Sequence, residues 1–135
     1  MHQHILIPVA LDHEKMIPRK IEMARHLLAE GGRITLYTVL ENVPGFVAEF
    51  VDMKPENHLR AQITKKLEES HDGGSDITCV VETGKAGVKI AQYAEAHAVD
   101  LIIVASHSPG LQEYFLGSTA SRVARRAPCS VYIMR

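Results

Sequence analysis

The sequence predicts an α/β fold built on a parallel sheet with helices on both faces. Three observations carry this expectation. Five short, β-branched apolar runs alternate along the chain with segments of helical period. The fourth run, Leu101-Ile-Ile-Val-Ala105, is apolar without alternation, which suits a strand covered on both sides. The 135 residues leave room for one core and not for two.

The elements follow in order. The first strand is expected at Ile5-Leu-Ile-Pro-Val-Ala10, with Pro8 near its end, where a missing ladder hydrogen bond is tolerated. In the first helix Ile17, Ile21, Ala24 and Leu28 form one stripe, with Arg19, Lys20, Glu22 and Arg25 off it. Gly31-Gly32 is expected to end that helix, because glycine accepts a left-handed conformation. The second strand is Ile34 to Leu40. A longer connection, Glu41 to Pro55, holds Pro44-Gly45-Phe46 and Phe50-Val51; loops of this length often cover a site or a partner surface. Leu59, Ile63 and Leu67 repeat at i, i+4, i+8 in the second helix, and His71-Asp-Gly-Gly-Ser75 closes it. The third strand is Ile77 to Val81. The third helix runs from about Ala86 to His97, with Ile90, Ala94 and Ala98 on its narrow apolar face. After the fourth strand comes a helix from about Ser118 to Arg126. Ala120, Val123, Ala124 and Ala127 are its apolar face, and Pro128 stops it. Ser130 to Met134 is the last strand. No internal repeat or linker divides the chain, so residues 1–135 read as one domain.

Composition excludes several function classes. Apolar residues make up 46% and the formal charge is −1, so nothing draws the whole chain to nucleic acid or an anionic membrane. Tryptophan is absent and phenylalanine occurs three times, which leaves little for stacking single-stranded bases. No apolar run is long enough for a transmembrane helix. The start, Met1-His-Gln-His-Ile-Leu-Ile-Pro8, lacks a basic region and reads as a strand rather than a signal peptide. Cys79 and Cys129 lie in or beside apolar runs and are expected to be buried and reduced, which places the chain in the cytoplasm.

In an open α/β sheet, ligands bind beyond the carboxyl ends of the strands, where the strand order reverses. The turn Ala105-Ser-His-Ser-Pro-Gly110 and the stretch Leu116-Gly117-Ser118-Thr119 fall there. Gly117 lets backbone approach an anion, and Ser118 and Thr119 offer hydroxyls, with Ser118 as the expected N-cap. The unpaired first amides of the helix carry partial positive charge. Arg122, Arg125 and Arg126 share that helix; they form a solvated face, or one of them neutralises a bound phosphate. His107 donates to a phosphate when protonated, or caps the loop. The other reading of Gly117-Ser118-Thr119 is an ordinary capped turn. His2 and His4 alternate on the first strand, a spacing that can hold a metal, but no Cys or carboxylate cluster accompanies them, so a solvated edge pair is expected and no metal.

Other chemistries are excluded. No Gly-x4-Gly-Lys-Ser/Thr motif marks a P-loop, and no Gly-x-Gly-x-x-Gly a nicotinamide site. Ser106 and Ser108 flank His107, but no Gly-x-Ser-x-Gly elbow is present. Asp12, Glu41 and Glu82 show no paired spacing. No catalytic residue is assigned, and the chain does not read as an enzyme.

The tail from Ala105 to Val131, with Leu116-Gly-Ser118, Val123, Arg126 and Ala127-Pro-Cys-Ser-Val131, resembles the C-terminal signature of the universal stress protein family, and Ile5-Leu-Ile-Pro-Val9 resembles its first strand. The resemblance covers the chain in order and length. It implies an open five-stranded parallel sheet of order 3-2-1-4-5, Rossmann-like and of the adenine nucleotide α-hydrolase-like kind. It also implies a homodimer joined through the last strand, Val131 to Met134. Some members bind ATP or AMP through Gly-x2-Gly-x9-Gly-Ser/Thr. Here Ala105 and Ser108 replace the first two glycines, and eight residues separate Ser108 from Gly117; Gly117-Ser118 matches. Ala105-Ser-His-x-Pro with Tyr114-x-Leu-Gly-Ser118 is closer to a subgroup that departs from the strict glycines. Ala10 stands where the family's first strand usually carries an aspartate after Pro-x. Carried over by position, Pro8, Val9 and Val39 line the adenine, Val104 and Ala105 lie near adenine and ribose, and Ser108, Gly117, Ser118 and Thr119 hold phosphates. The function implied is binding of adenine nucleotide, ATP or AMP with or without Mg²⁺, in the cleft between strands one and four, with stress-linked regulation of an unidentified protein partner. The alternatives are a nucleotide-free dimeric scaffold, or a slow ATPase or autophosphorylating protein with Ser118 or Thr119 as acceptor.

Overall fold

The computed structural model describes residues 1–9, 16–40, 54–69, 74–106 and 117–135, with side chains from residue 61 onward in the third stretch. The elements are β1 (His2–Pro8), α1 (Ile17–Leu27), β2 (Leu28–Leu40), α2 (Lys54–Glu69), β3 (Ile77–Thr83), α3 (Ala86–Ala96), β4 (Leu101–Ala105), α4 (Ser118–Arg126) and β5 (Ser130–Met134). All four pairings are parallel and the order is β3-β2-β1-β4-β5. The order reverses between β1 and β4, so the switch point lies there.

The inner residues of β2, β1 and β4 are buried on both faces because each face has its own helical layer. Ile5, Ile7, Leu36 and Ile103 pack against Ile17, Ile21 and Ala24 of α1 and Ile63 and Leu67 of α2. Leu6, Tyr37, Ile102 and Val104 pack against Ile90 and Ala94 of α3 and Ala120 and Val123 of α4. Alternation along β1 and β4 therefore feeds two cores from one apolar run, as the unbroken pattern of β4 predicts.

Several boundaries differ from the sequence reading. α1 ends at Leu27, with Leu28 already extended (φ −80°, ψ 134°), and Gly31-Gly32 lies inside β2. Leu28 pairs with His2 before the register jumps to His4↔Arg33. The extra β2 residues bulge, Gly31 taking φ +78° within the bulge. A Cβ on Gly32 would come within 3.0 Å of the Gln3 and Ala29 carbonyl oxygens and closer still to the Leu28 side chain. The glycines thus serve a bulge and a close strand approach rather than a helix cap. Ala98 leaves the apolar face expected for α3. It lies beyond the helix with φ +53° and is exposed, and buried Val99 bonds back to the Ala94 carbonyl at 2.9 Å. This is the geometry of a helix-ending left-handed residue. Ala124 is exposed, so α4 buries only Ala120 and Val123 fully. Pro55 is the second residue of α2, an early-turn position that proline tolerates. The rest of the connection expected over Glu41–Pro55 lies outside the described residues, apart from Lys54.

No disulfide joins Cys79 and Cys129, and both are half-buried. Cys79 is on β3, and Cys129 directly precedes β5; these strands are the two borders of the sheet. Four strand spacings, about 19 Å, separate them, far beyond disulfide reach. Burial pushes both thiols up, Cys79 to about 11 with the Glu68 carboxylate adding to the effect.

Candidate functional site at the carboxyl ends of the strands

The β1–β4 register runs through Ile5↔Leu101 and Leu6↔Ile102. Its neighbours continue further, β1–β2 to Pro8↔Tyr37 and β4–β5 to Ala105↔Met134. A rung beyond Leu6 would need an N–H from residue 8, and proline has none. Pro8 thus ends the ladder at the point where strand order reverses. The Val9 N–H donates to the Tyr37 carbonyl in β2 at 2.8 Å. A planar trans peptide holds its C=O and N–H in opposite directions, so the Pro8 carbonyl points to the β4 side.

Two features flank this position. On the α3/α4 face, the N-terminus of α4 is drawn to the end of β4 by a hydrogen bond from the Gly117 N–H to the Ser106 carbonyl. Ser106 is itself buried, and its N–H donates to the Met134 carbonyl at 2.8 Å. The N-cap is Gly117 (φ −59°, ψ 156°), and no side chain caps the helix. Ser118 is therefore the first helical residue rather than the cap expected from the sequence; it and Thr119 are exposed. Among the described residues the first-turn amides of α4 have no side-chain acceptor, and no acidic residue occupies that turn.

On the α1/α2 face stands Lys20, which the helical stripe placed off the core. It is 3% exposed, and its Nζ donates to the Pro8 carbonyl at 3.4 Å. Burial pushes its ammonium down to about 8. The missed signal was its spacing, three residues after Ile17 and four before Ala24, the same stripe on a helix.

The remaining expected residues separate by face. Val9 is buried in the α1/α2 core, whereas Val104 and half-buried Val39 belong to the α3/α4 core. Pro8 alternates with Leu6 and so shares the face of Val39 and Val104. Ala105 is half-buried at the end of β4. Ala10, His107 and Ser108 lie outside the described residues. Two of the three arginines stand away from the N-terminus of α4. Arg125 and Arg126 occupy its last turn, about 10 Å away along the axis, and the Arg122 stem lies against Gly87 of α3.

The His2/His4 pair is a further correction. β1 is central, and His4 is 4% exposed. Its Nδ1 is 3.0 Å from the His97 carbonyl and its Nε2 2.8 Å from Thr35 Oγ1. A carbonyl only accepts, so Nδ1 carries the proton and the threonine hydroxyl donates to Nε2. Burial lowers the His4 pKa, opposed by the bond to His97 and reinforced by Arg33. Asp100 secures the same end of the sheet. It accepts from the Gln3 N–H at 2.8 Å and the His4 N–H at 3.2 Å, with His2 at 3.5 Å. Among the described residues no group of His, Cys, Asp and Glu could hold a metal ion, and no helix is long and apolar enough to cross a membrane.

The family model for the universal stress protein family matches residues 1–135. Universal stress protein A homolog 2 of Coxiella burnetii is 31% identical over 142 residues, covering 99% of this chain and 95% of that protein. The fold is similar to UspA from Lactobacillus plantarum (TM-score 0.68, 21% identity, 98% and 97% of the two chains). It is also similar to a universal stress protein solved with cAMP (TM-score 0.64, 18% identity, 99% and 97%). A third such structure is the universal stress protein from Archaeoglobus fulgidus solved with dAMP (TM-score 0.59, 15% identity, 98% of each). With its sheet order, its Rossmann-like layering and a family match across its whole length, the chain belongs to the universal stress protein family.

Proposed function

We propose that this protein binds an adenine nucleotide, ATP or AMP, at the carboxyl edge of its sheet between β1 and β4, and that it acts as a binding protein rather than a catalyst. The observation that carries the reading is the uncapped N-terminus of α4 behind Gly117, tied to the end of β4 at the reversal of strand order. Free first-turn amides favour a phosphate. Relatives of the same fold were solved with cAMP and with dAMP, which supports an adenine ligand in this family. Ser118 and Thr119 are exposed where they can offer hydroxyls to that phosphate. Pro8, Val39 and Val104 supply the apolar surface on the same face.

Thermal unfolding with millimolar ATP or AMP, with and without Mg²⁺, tests the reading. A ligand that binds only the folded state at a hundredfold excess over Kd contributes about 2.7 kcal/mol, a shift of several degrees at this size. A saturable rise with one nucleotide, lost in Gly117→Val, is the expected result. Absence of a rise with both nucleotides would overturn it.

The partner surface belongs to the same proposal. β5 is a border strand, and Tyr132 on it is 37% exposed. Pairing with a second copy would cover Val131 to Met134 and remove an open edge. Light scattering at micromolar concentration should report a dimer; a monomer there contradicts this assignment.

A further inference from the structure

The buried lysine of α1 has no counterpart in the reading above, which places phosphate only against α4. Lys20 carries three donors, and among the described residues the Pro8 carbonyl is its one acceptor, at the long distance of 3.4 Å. A residue 3% exposed whose ammonium finds only one long acceptor among the described residues is costly unless an anion completes its shell. The charged side chains on the strands that α1 packs against are His2 and His4 of β1 and Glu30 and Arg33 of β2, while β4 carries none. None of them acts on the lysine; among the described residues burial alone lowers its pKa.

Position gives this ammonium its meaning. The Pro8 carbonyl that it touches points to the β4 side, where the β1–β4 ladder has stopped. Lys20 therefore reaches the strand gap from the α1/α2 face, and the N-terminus of α4 stands at the end of β4 on the opposite face. An anionic group lodged across the gap would meet fixed partial charge from one layer and a full positive charge from the other.

We infer that Lys20 is an anion-binding residue of the β1/β4 gap, a cation that contacts the phosphate of the bound ligand from the α1 side of the sheet. This rests on the nucleotide reading for the identity of the ligand but not for the chemistry, which is recognition of a phosphoryl group by a buried amine. The ligand would be selected for its phosphate, so adenosine would be bound without help from Lys20. Moving a phosphate into contact would also restore the lysine's affinity for its proton.

The test compares adenosine, AMP and inorganic pyrophosphate by calorimetry on wild type, Lys20→Met and Lys20→Arg. Methionine keeps the stem and removes the charge. The expected result is a tenfold or greater loss of AMP affinity in Lys20→Met, partial retention in Lys20→Arg, and adenosine affinity unchanged. Equal AMP affinity in wild type and Lys20→Met, or an equal loss for adenosine, overturns the assignment. A second readout needs no variant: the ¹³Cε resonance of Lys20 is titrated with pH in the wild type, with and without pyrophosphate or AMP. An upward move of its midpoint on adding either anion supports direct contact, and an unmoved midpoint under saturating anion refutes it. The two proposals separate cleanly. If pyrophosphate moves the midpoint but no adenine nucleotide binds, the lysine assignment holds and the nucleotide reading fails. If AMP binds equally to wild type and Lys20→Met, the nucleotide reading holds and the lysine assignment fails. If neither anion binds, both fail.

Discussion

Ala98 is held at φ +53°, where a Cβ crowds the backbone, solely to end α3 and turn the chain toward β4. Glycine removes that conflict at some cost in unfolded-state entropy. Ala98→Gly should therefore raise stability by about 0.5–1 kcal/mol, read as a higher denaturation midpoint at unchanged m. His4 gives a pH signature. Its folded pKa lies below the unfolded value of about 6.5, so the unfolded chain takes up a proton first as pH falls. Stability contributed by neutral His4 is present above pH 6.5 and is lost as pH falls below it. His97, Asp100 and Arg33 are the titratable or charged groups that act on it. His4→Gln keeps an amide for Thr35 and His97 but does not titrate. The stability gap between wild type and this variant should narrow from pH 7 to pH 5; a constant gap would show that His4 does not protonate on unfolding.

At the scale of elements, the α3–α4 contact depends on one missing side chain. A Cβ at Gly87 would lie 2.9 Å from the Arg122 Cβ, and backbone-borne atoms cannot swing away as a side-chain tip can. Alanine is worth about 1 kcal/mol over glycine within a helix. Gly87→Ala should nonetheless lower stability in urea unfolding, and Arg122→Ala should not rescue it, since the Cβ remains. A Gly87→Ala variant as stable as wild type would show that the helices separate freely. The same scale shows what the sequence made legible. The bounds of β4, α4 and β5 matched because continuous apolar runs and Pro128 mark them locally. The site was only partly legible. Gly117 is a local signal for a helix start, but its role as cap in place of Ser118 depends on the bond to Ser106. Lys20 and His4 escape a local reading because a polar residue on a buried stripe is rare, and their burial is set by partners at Pro8, Thr35 and His97 that no local window contains. Gly31-Gly32 looked like a helix stop because the bulge that needs it is defined by β1, far back in the chain.

For the whole molecule, Lys20 is a standing cost that a ligand would relieve. Its folded pKa of about 8 lies below the ordinary 10.5, so the unfolded chain holds the proton more tightly. The penalty is fully present below pH 8 and is withdrawn as pH rises from 8 to 10.5, where stability relative to a non-titrating variant increases. A shift of this size corresponds to about 3 kcal/mol at neutral pH. Lys20→Met should therefore raise the thermal midpoint by several degrees at pH 7, with the advantage shrinking toward pH 10.5. No gain at pH 7 would show that the amine is better solvated than its burial implies. A last consequence follows from the place of β1 at the centre of the sheet. Its two neighbours leave the ribosome at very different times, β2 soon after it and β4 only once residue 105 has been made. Until then a nascent half-sheet of β3, β2 and β1 has an unpaired margin along Ile5 and Leu6. Closing it requires contacts across 96 and 97 residues, those of Asp100 with His4 and Gln3. Such distant pairing is slow, so refolding should take milliseconds to seconds rather than microseconds. Until β4 arrives, that margin is an open apolar strand edge, the kind of surface that makes a part-folded chain prone to association.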